Sequence, residues 1–269
     1  MQELQAAIMG LVEGLTEFLP VSSTGHLILA GHWLGFEERL GHEVAATFEI
    51  FIQVGAILAV VAAYPGRFAG LADVRASRGF AGWRGISLLM WTSLPALIAG
   101  KVSHEYIKER LFAPWSVAMG LAAGAVWILC VEWRRPRART ESLDDLGWRE
   151  ALAVGLFQCL ALWPGVSRSG ATILGAMMLG VDRKTATQYS FFAAVPVLFA
   201  AALWDLWQSL HQLRATHVPL FGIGLAVSFV SAFLAVKWLL RFVTSHTLTV
   251  FAWYRLCLAA VVFATIKPD

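Results

Sequence analysis

Charge is what this chain has least of. Of its 269 residues only 14% are Asp, Glu, Lys or Arg, against roughly 25% in an ordinary soluble domain. The deficit runs along the whole length, which excludes a soluble globular domain carrying one anchor. Cysteine is scarce as well. Cys130, Cys159 and Cys257 lie in apolar segments without metal-ligand spacing, so they read as small core hydrophobes. A basic leader is missing: Met1-Gln2-Glu3 is no positive n-region, and the first apolar run contains Glu13 and Glu17, so no cleavable signal peptide is expected. The net charge is only +3 and sits largely in two loops, which argues for membrane topology rather than a nucleic-acid partner.

What remains is apolar: 58% of residues are hydrophobic and twelve are tryptophan, a residue suited to membrane interfaces although some should be core. At about 20 apolar residues per crossing, the chain holds about six to eight crossings. It reads as one all-α, polytopic integral membrane domain over residues 1–269, in contact with membrane lipids. Composition leaves self-association, such as a homodimer, undecided.

Residues 3–19 form an apolar stretch too short and too acidic for an ordinary span. Pro20-Val-Ser-Ser-Thr-Gly25 interrupts it, and a second short run follows from His26 to Leu34. Two half-length helices around a Pro/Ser/Gly loop predict a re-entrant hairpin, whose irregular backbone must be buried in protein or line a wet cavity. Full spans are expected at 45–64, 85–103 and 114–132, a second hairpin at 150–163 and 169–180, and further spans at 186–207, 219–240 and 248–266.

The two hairpins are copies. At an offset of 145 positions Gly10/Gly155, Leu15/Leu160, Val21/Val166, Ser22/Ser167, Gly25/Gly170, Ile28/Ile173 and Gly35/Gly180 are identical. Repeat 1 covers about 1–133 and repeat 2 about 148–269, with a loop at 134–147 between them. Arg67, Arg75, Arg78 and Arg84 mark the 65–84 loop as cytoplasmic, and Arg134, Arg135, Arg137, Arg139 and Arg149 do the same for the 134–149 loop. The 104–113 connection, with His104, and the acidic 36–44 connection, with Glu37, Glu38 and Glu43, then fall outside. Followed through, the repeats are inverted, and duplicated, broken apolar segments point to a binding site at the repeat interface.

Glu13 and Glu17 share a helix face, and intramembrane carboxylates are functional candidates. The bland alternative is a pair facing interfacial water. Paired carboxylates repel, so one is protonated or a cation lies between them, and oxygen ligands suit Mg²⁺ or Ca²⁺. In the second copy Ser167, Arg168, Ser169 and Thr172 open a half-helix whose free N–H groups and guanidinium fit phosphate. Ordinary capping by Ser167 or Ser169 is the simpler alternative. Ser22, Ser23 and Thr24 offer similar chemistry in the first copy, followed by His26. Glu49, Gln53 and Gln158 are candidate supporting residues or plain helix–helix hydrogen bonds. An anion cradle facing two acids needs a bridging divalent cation, and together these suit phosphoryl transfer on a lipid-tailed substrate. The expected nucleophile or general base is His26, with Ser23, Ser167 and water as rivals.

At Glu13-Gly-Leu-Thr-Glu17-Phe-Leu-Pro-Val-Ser-Ser-Thr-Gly-His26 and Pro164-Gly-Val-Ser-Arg-Ser-Gly-Ala-Thr172 the chain resembles the bacterial undecaprenyl-diphosphate phosphatases of the bacitracin-resistance family. The resemblance covers essentially the whole chain. It implies removal of the terminal phosphate from undecaprenyl diphosphate, which recycles the carrier lipid of cell-wall synthesis. It also implies a divalent metal and a site opening to the extracytoplasmic side of the bacterial inner membrane. By motif position it makes Glu13 and Glu17 the metal-linked acids, Arg168 the phosphate clamp, and Ser23, His26, Ser167 and Thr172 the other site residues. The rival class is a lipid-carrier flippase or transporter, which shares broken helices and inverted repeats but has no need of His26 beside two acids and an arginine.

Overall fold

The computed structural model describes residues 1–266 except 74, 77, 112, 135 and 136, and the side chains of 104–110 also excepted. Arg135 and the side chain of His104 therefore lie outside the described residues. The fold is all-helical, with no named strand among the described residues and one isolated bridge between Thr140 and Val181.

Each expected hairpin is a pair of short helices around a break. α1 (Gln2–Thr16) and α2 (Ser23–Leu34) form the first pair, α8 (Trp148–Gln158) and α9 (Arg168–Met178) the second. At 15, 12, 11 and 11 residues, none reaches the roughly 30 Å of a hydrocarbon core at about 1.5 Å per residue. Five longer segments are apolar and long enough to cross: α4 (His42–Ala63), residues Gly82–Ser103 of α6 (Gly82–Arg110), α7 (Pro114–Arg134), α10 (Arg183–Ser209) and the Ala215–Ser245 segment containing α11 (Val218–Ser245). α12 (Thr249–Thr265), where a full span was expected at 248–266, is apolar but at 17 residues shorter than the other five. Two small helices, α3 (Phe36–Leu40) and α5 (Pro65–Ala72), occupy stretches expected as connections. α6 also stays helical through Arg110, where a connection was expected from 104. Hydropathy marks where apolar residues stop, whereas Lys, Glu and Arg extend a helix well in water.

Small residues set the packing. A Cβ on Gly10 would run into the Gly224 carbonyl of α11, and one on Gly14 into Ser231, so α1 lies directly on α11. Gly155 of α8 meets the Thr92 carbonyl of α6 in the same way. The duplicated glycines thus perform the same task, each letting a short helix touch a long helix from the other half. α4 packs on α10 and α11, and α7 on α12. Polar residues join the helices where they cross. Thr92 Oγ1 donates to the Ala151 carbonyl at 2.8 Å, and Tyr189 donates to that of Leu88 at 3.1 Å. Glu132 accepts from Arg183 Nη2 at 2.6 Å and from the Leu248 N–H at 2.8 Å, tying α7 to α10 and to the start of α12.

The two basic loops meet at one end of the molecule. Arg67 donates to Asp144 at 2.8 Å, and Arg84 to the Leu146 carbonyl at 2.6 Å. The Arg67 hydrogen bond, helped by the Phe80 N–H, holds the Asp144 carboxyl below the usual aspartate range. Eleven of the twelve tryptophans are exposed, Trp127 excepted, so the expectation of core tryptophans is not met. Together with the exposed Leu, Val and Phe side chains, they form the surface that a multi-pass membrane protein turns toward lipid.

Candidate active site

Both helix breaks use an unusual backbone. Ser22 and Ser167, related by the repeat offset, have φ of 71° and 76° and are the only non-glycine residues with positive φ among those described. Such conformations cost on the order of 1–3 kcal/mol each and persist where the surroundings over-determine them. Each serine is the N-cap of the returning helix, α2 or α9. Ser167 Oγ accepts from the Gly170 N–H at 3.1 Å, so the expected cap is present there, while Ser22 makes no side-chain cap.

The breaks face each other across a cavity of about 110 Å³ lined by Glu17, Ser22, Ser23, Thr24, Gln53, Pro164, Gly165, Ser167 and Arg168, with Ala161 and Leu198 as its apolar wall. One chain of charge-assisted hydrogen bonds crosses it. Ser23 Oγ donates to Glu17 Oε2 at 2.6 Å, and Arg168 Nη2 donates to Glu17 Oε1 at 2.9 Å. Arg168 Nη1 reaches the Ser190 carbonyl at 3.0 Å, and its guanidinium lies 5.5 Å from the Phe18 ring centroid. Its third nitrogen, Nε, is buried and meets no acceptor among the described residues. Thr172 is fully buried and bonds the Ser190 hydroxyl at 2.6 Å, so it supports the arginine's partner instead of lining the cavity. Ser169 donates to the Leu19 carbonyl at 2.8 Å and fastens one break to the other.

Glu13, fully buried on α1, adjoins Glu17, and the Glu49 carboxyl bears on it from α4. Among the described residues no hydroxyl, N–H or cationic group meets either Glu13 oxygen. Glu17 is matched by Arg168 and Ser23, whereas the two buried oxygens of Glu13 beside it are not, a deficit that a proton shared with Glu17 or a hard cation would fill. Among the described residues no three His, Cys, Asp or Glu side chains form a ready-made metal site. The donor set therefore fits a cation that takes one or two carboxylates and completes its shell from substrate and water, the usual habit of Mg²⁺ more than of Ca²⁺.

His26 is placed differently from the sequence expectation. Its Nδ1 bonds the Ser22 carbonyl at 2.7 Å, its Nε2 bonds the Tyr254 hydroxyl at 2.7 Å, and the two rings stack. It does not line the cavity. Because a carbonyl only accepts, Nδ1 carries the proton and a neutral ring accepts from Tyr254. Gln53 lines the cavity, and Glu49 acts one turn away. Gln158 does not reach it, donating instead to the Thr92 carbonyl at 3.3 Å.

Residues 6–261 match the family described as bacitracin resistance protein BacA. The chain belongs to that family. Among the BacA relatives, the undecaprenyl-diphosphatase of Solidesulfovibrio magneticus is 52% identical over 262 residues, covering 97% of each chain. That of Desulfovibrio desulfuricans is 54% identical over 260 residues, again 97% of each. A more distant one from Cupriavidus metallidurans is 45% identical over 286 residues, 97% of this chain and 94% of that one.

Three residues that sequence reasoning passed over support the residues of the cavity and its two breaks. Ser190 of α10 holds Arg168 and Thr172, and Tyr254 and Arg255 of α12 hold the breaks from behind. An arginine inside an otherwise apolar helix is itself a signal of function, and Arg255 carried it.

Proposed function

We propose that this protein is an undecaprenyl-diphosphatase, removing the terminal phosphate of undecaprenyl diphosphate to leave undecaprenyl phosphate and inorganic phosphate. The observation that carries the reading is the Ser23–Glu17–Arg168 chain across the cavity, supported by full-length relatives that bear this name. A serine hydroxyl on a carboxylate is an activated nucleophile, and a buried guanidinium with one N–H to spare suits a phosphate oxygen.

Arg168 releases Glu17 Oε1 as the terminal phosphate arrives, and Nε finds its acceptor there. Glu17 then takes the Ser23 proton as Oγ bonds to the terminal phosphorus and the bond to the bridging oxygen breaks, releasing undecaprenyl phosphate. Glu17 gives that proton up to the departing phosphate and then takes one from water as it attacks the phosphoserine; the P–Oγ bond breaks, inorganic phosphate leaves, and Glu17 returns the proton to Ser23 Oγ. N–H groups at the starts of α2 and α9 receive the developing charge. Until the phosphate arrives, Arg168 engages the same carboxylate and offsets the charge that acts on the Ser23 hydroxyl. Glu13, with Glu17 beside it, would hold a divalent cation, and that ion when bound supplies charge neutralisation for the diphosphate. His26 serves the backbone of Ser22 in this mechanism, not the phosphorus.

The chain works as one membrane domain of inverted repeats with two re-entrant hairpins. Reciprocal packing supports this, α1 on α11 and α8 on α6, with matched glycines and matched strained serines. The basic loops face the cytoplasm, and the site opens to the extracytoplasmic side of the inner membrane. A carrier would need no serine–carboxylate pair. Phosphate release from a prenyl diphosphate by the purified protein in detergent, with and without EDTA, tests the reading. Active wild-type protein and inactive Glu17→Gln protein are expected, and no release under any metal condition would overturn it.

A further inference from the structure

Among the described residues Arg255 is the largest fully buried side chain, and it forms no ion pair with any of them. Backbone carbonyls alone satisfy it. Nε donates to Leu121 at 3.1 Å and Nη1 to Pro20 at 3.1 Å. Nη2 reaches Gly120 at 3.1 Å, Gly165 at 2.9 Å and Val166 at 3.0 Å. One guanidinium therefore grips the first break, the second break and α7 together. The sequence makes room for it: a Cβ on Gly124 would occupy the place of its Cζ and Nη2. A buried charge held only by dipoles is costly and is retained where it does something.

Three of the carbonyls that Arg255 holds lie within two residues before the strained serines. Val166 precedes Ser167, and Pro20 lies two residues before Ser22. In a planar trans peptide the N–H points opposite to the C=O, so fixing the Val166 carbonyl turns the Ser167 N–H away from Arg255. Ser167 lines the cavity, and among the described residues no acceptor meets that N–H. Next to it on α12, Tyr254 holds His26, which holds the Ser22 carbonyl.

We propose that Arg255 is a positioning residue for the reaction: it keeps the two breaks in one register, so that Ser23 from the first and the Ser167 N–H from the second address the same phosphate. The proposal rests on the phosphatase reading. Its test is steady-state kinetics of Arg255→Lys and Gly124→Ala, purified in detergent and normalised to monodisperse protein, with the thermal midpoint measured alongside. Lysine keeps the charge and loses the five-carbonyl grip, and the alanine pushes the guanidinium out of place from α7. Losing one aligned backbone donor lowers kcat on the order of 10²-fold, so that fall is expected for Arg255→Lys with KM within about threefold, and a smaller fall in the same direction for Gly124→Ala. A merely structural arginine would lower the thermal midpoint and yield but leave kcat per folded molecule at the wild-type value, and that result overturns the proposal. Failure of both variants to give monodisperse protein also overturns it, since the role is then one of folding. Inactive wild-type protein would instead sink the phosphatase reading, and this proposal with it.

Discussion

Replacing Arg168 by lysine separates the guanidinium's charge from its shape. Arg168 contacts Glu17 at 2.9 Å and the Ser190 carbonyl at 3.0 Å, is only 12% exposed, and among the described residues meets no acceptor at Nε. Lysine supplies one ammonium, so it can hold Glu17 or the phosphate but cannot present the fork. A charge-assisted contact in a dry site is worth about 2.7–4 kcal/mol, and about 1.36 kcal/mol is tenfold in rate, so losing one contact gives a fall of about 10²–10³. The assay is initial-rate phosphate release over a full substrate range. The loss should fall on kcat, because the fork closes on the phosphate as charge develops. Alanine should be worse and less stable, since it strands the 5%-exposed carboxylate of Glu17, and breaking a buried pair costs about 3–5 kcal/mol. Near-normal kcat for Arg168→Lys would reduce Arg168 to a point charge and refute the clamp.

Three further outcomes are expected. Glu13→Gln should lower activity and flatten its dependence on added Mg²⁺, whereas an unchanged Mg²⁺ titration would make Glu13 structural. Asp144 carries a lowered pKa through Arg67 and Phe80, so its contribution to stability is present above the ordinary aspartate value of about 3.9 and disappears as pH falls below it. Accordingly, the difference in thermal midpoint between wild type and Asp144→Asn should be present at neutral pH and vanish in acid, and a difference that persists in acid would contradict the loop–loop contact. In a background lacking Cys130, Cys159 and Cys257, cysteines at Glu38 and Arg137 should react with an impermeant reagent from opposite sides of intact cells, and labelling of both from one side would contradict the inverted topology.

Much of this was legible in the chain. The short, Pro- and Gly-broken segments could only be half-length helices, and the 145-residue offset located both breaks. Glu17, Ser23 and Arg168 could be picked out because ionisable and hydroxyl residues are costly among apolar ones. The direction of His26 was not legible. The imidazole bonds the carbonyl of the strained Ser22 with one nitrogen and Tyr254 of α12 with the other, and no periodicity encodes a strained dihedral. Ser190 and Arg255 lie far from the motifs in sequence, and the fold alone brings them to the breaks. Helix ends such as Arg110 were misjudged because hydropathy measures lipid contact, while the helix itself continues on backbone hydrogen bonds into water.

The central claim is that Ser23, activated by Glu17, attacks the terminal phosphorus. Rapid acid quench of the enzyme with terminally radiolabelled prenyl diphosphate, followed by peptide mapping, reads it directly. The account predicts an acid-stable phosphoenzyme on Ser23, absent from Ser23→Ala and slowed in Glu17→Gln. An acid-labile, base-stable adduct that disappears in His26→Ala, or undiminished turnover by Ser23→Ala, would contradict it.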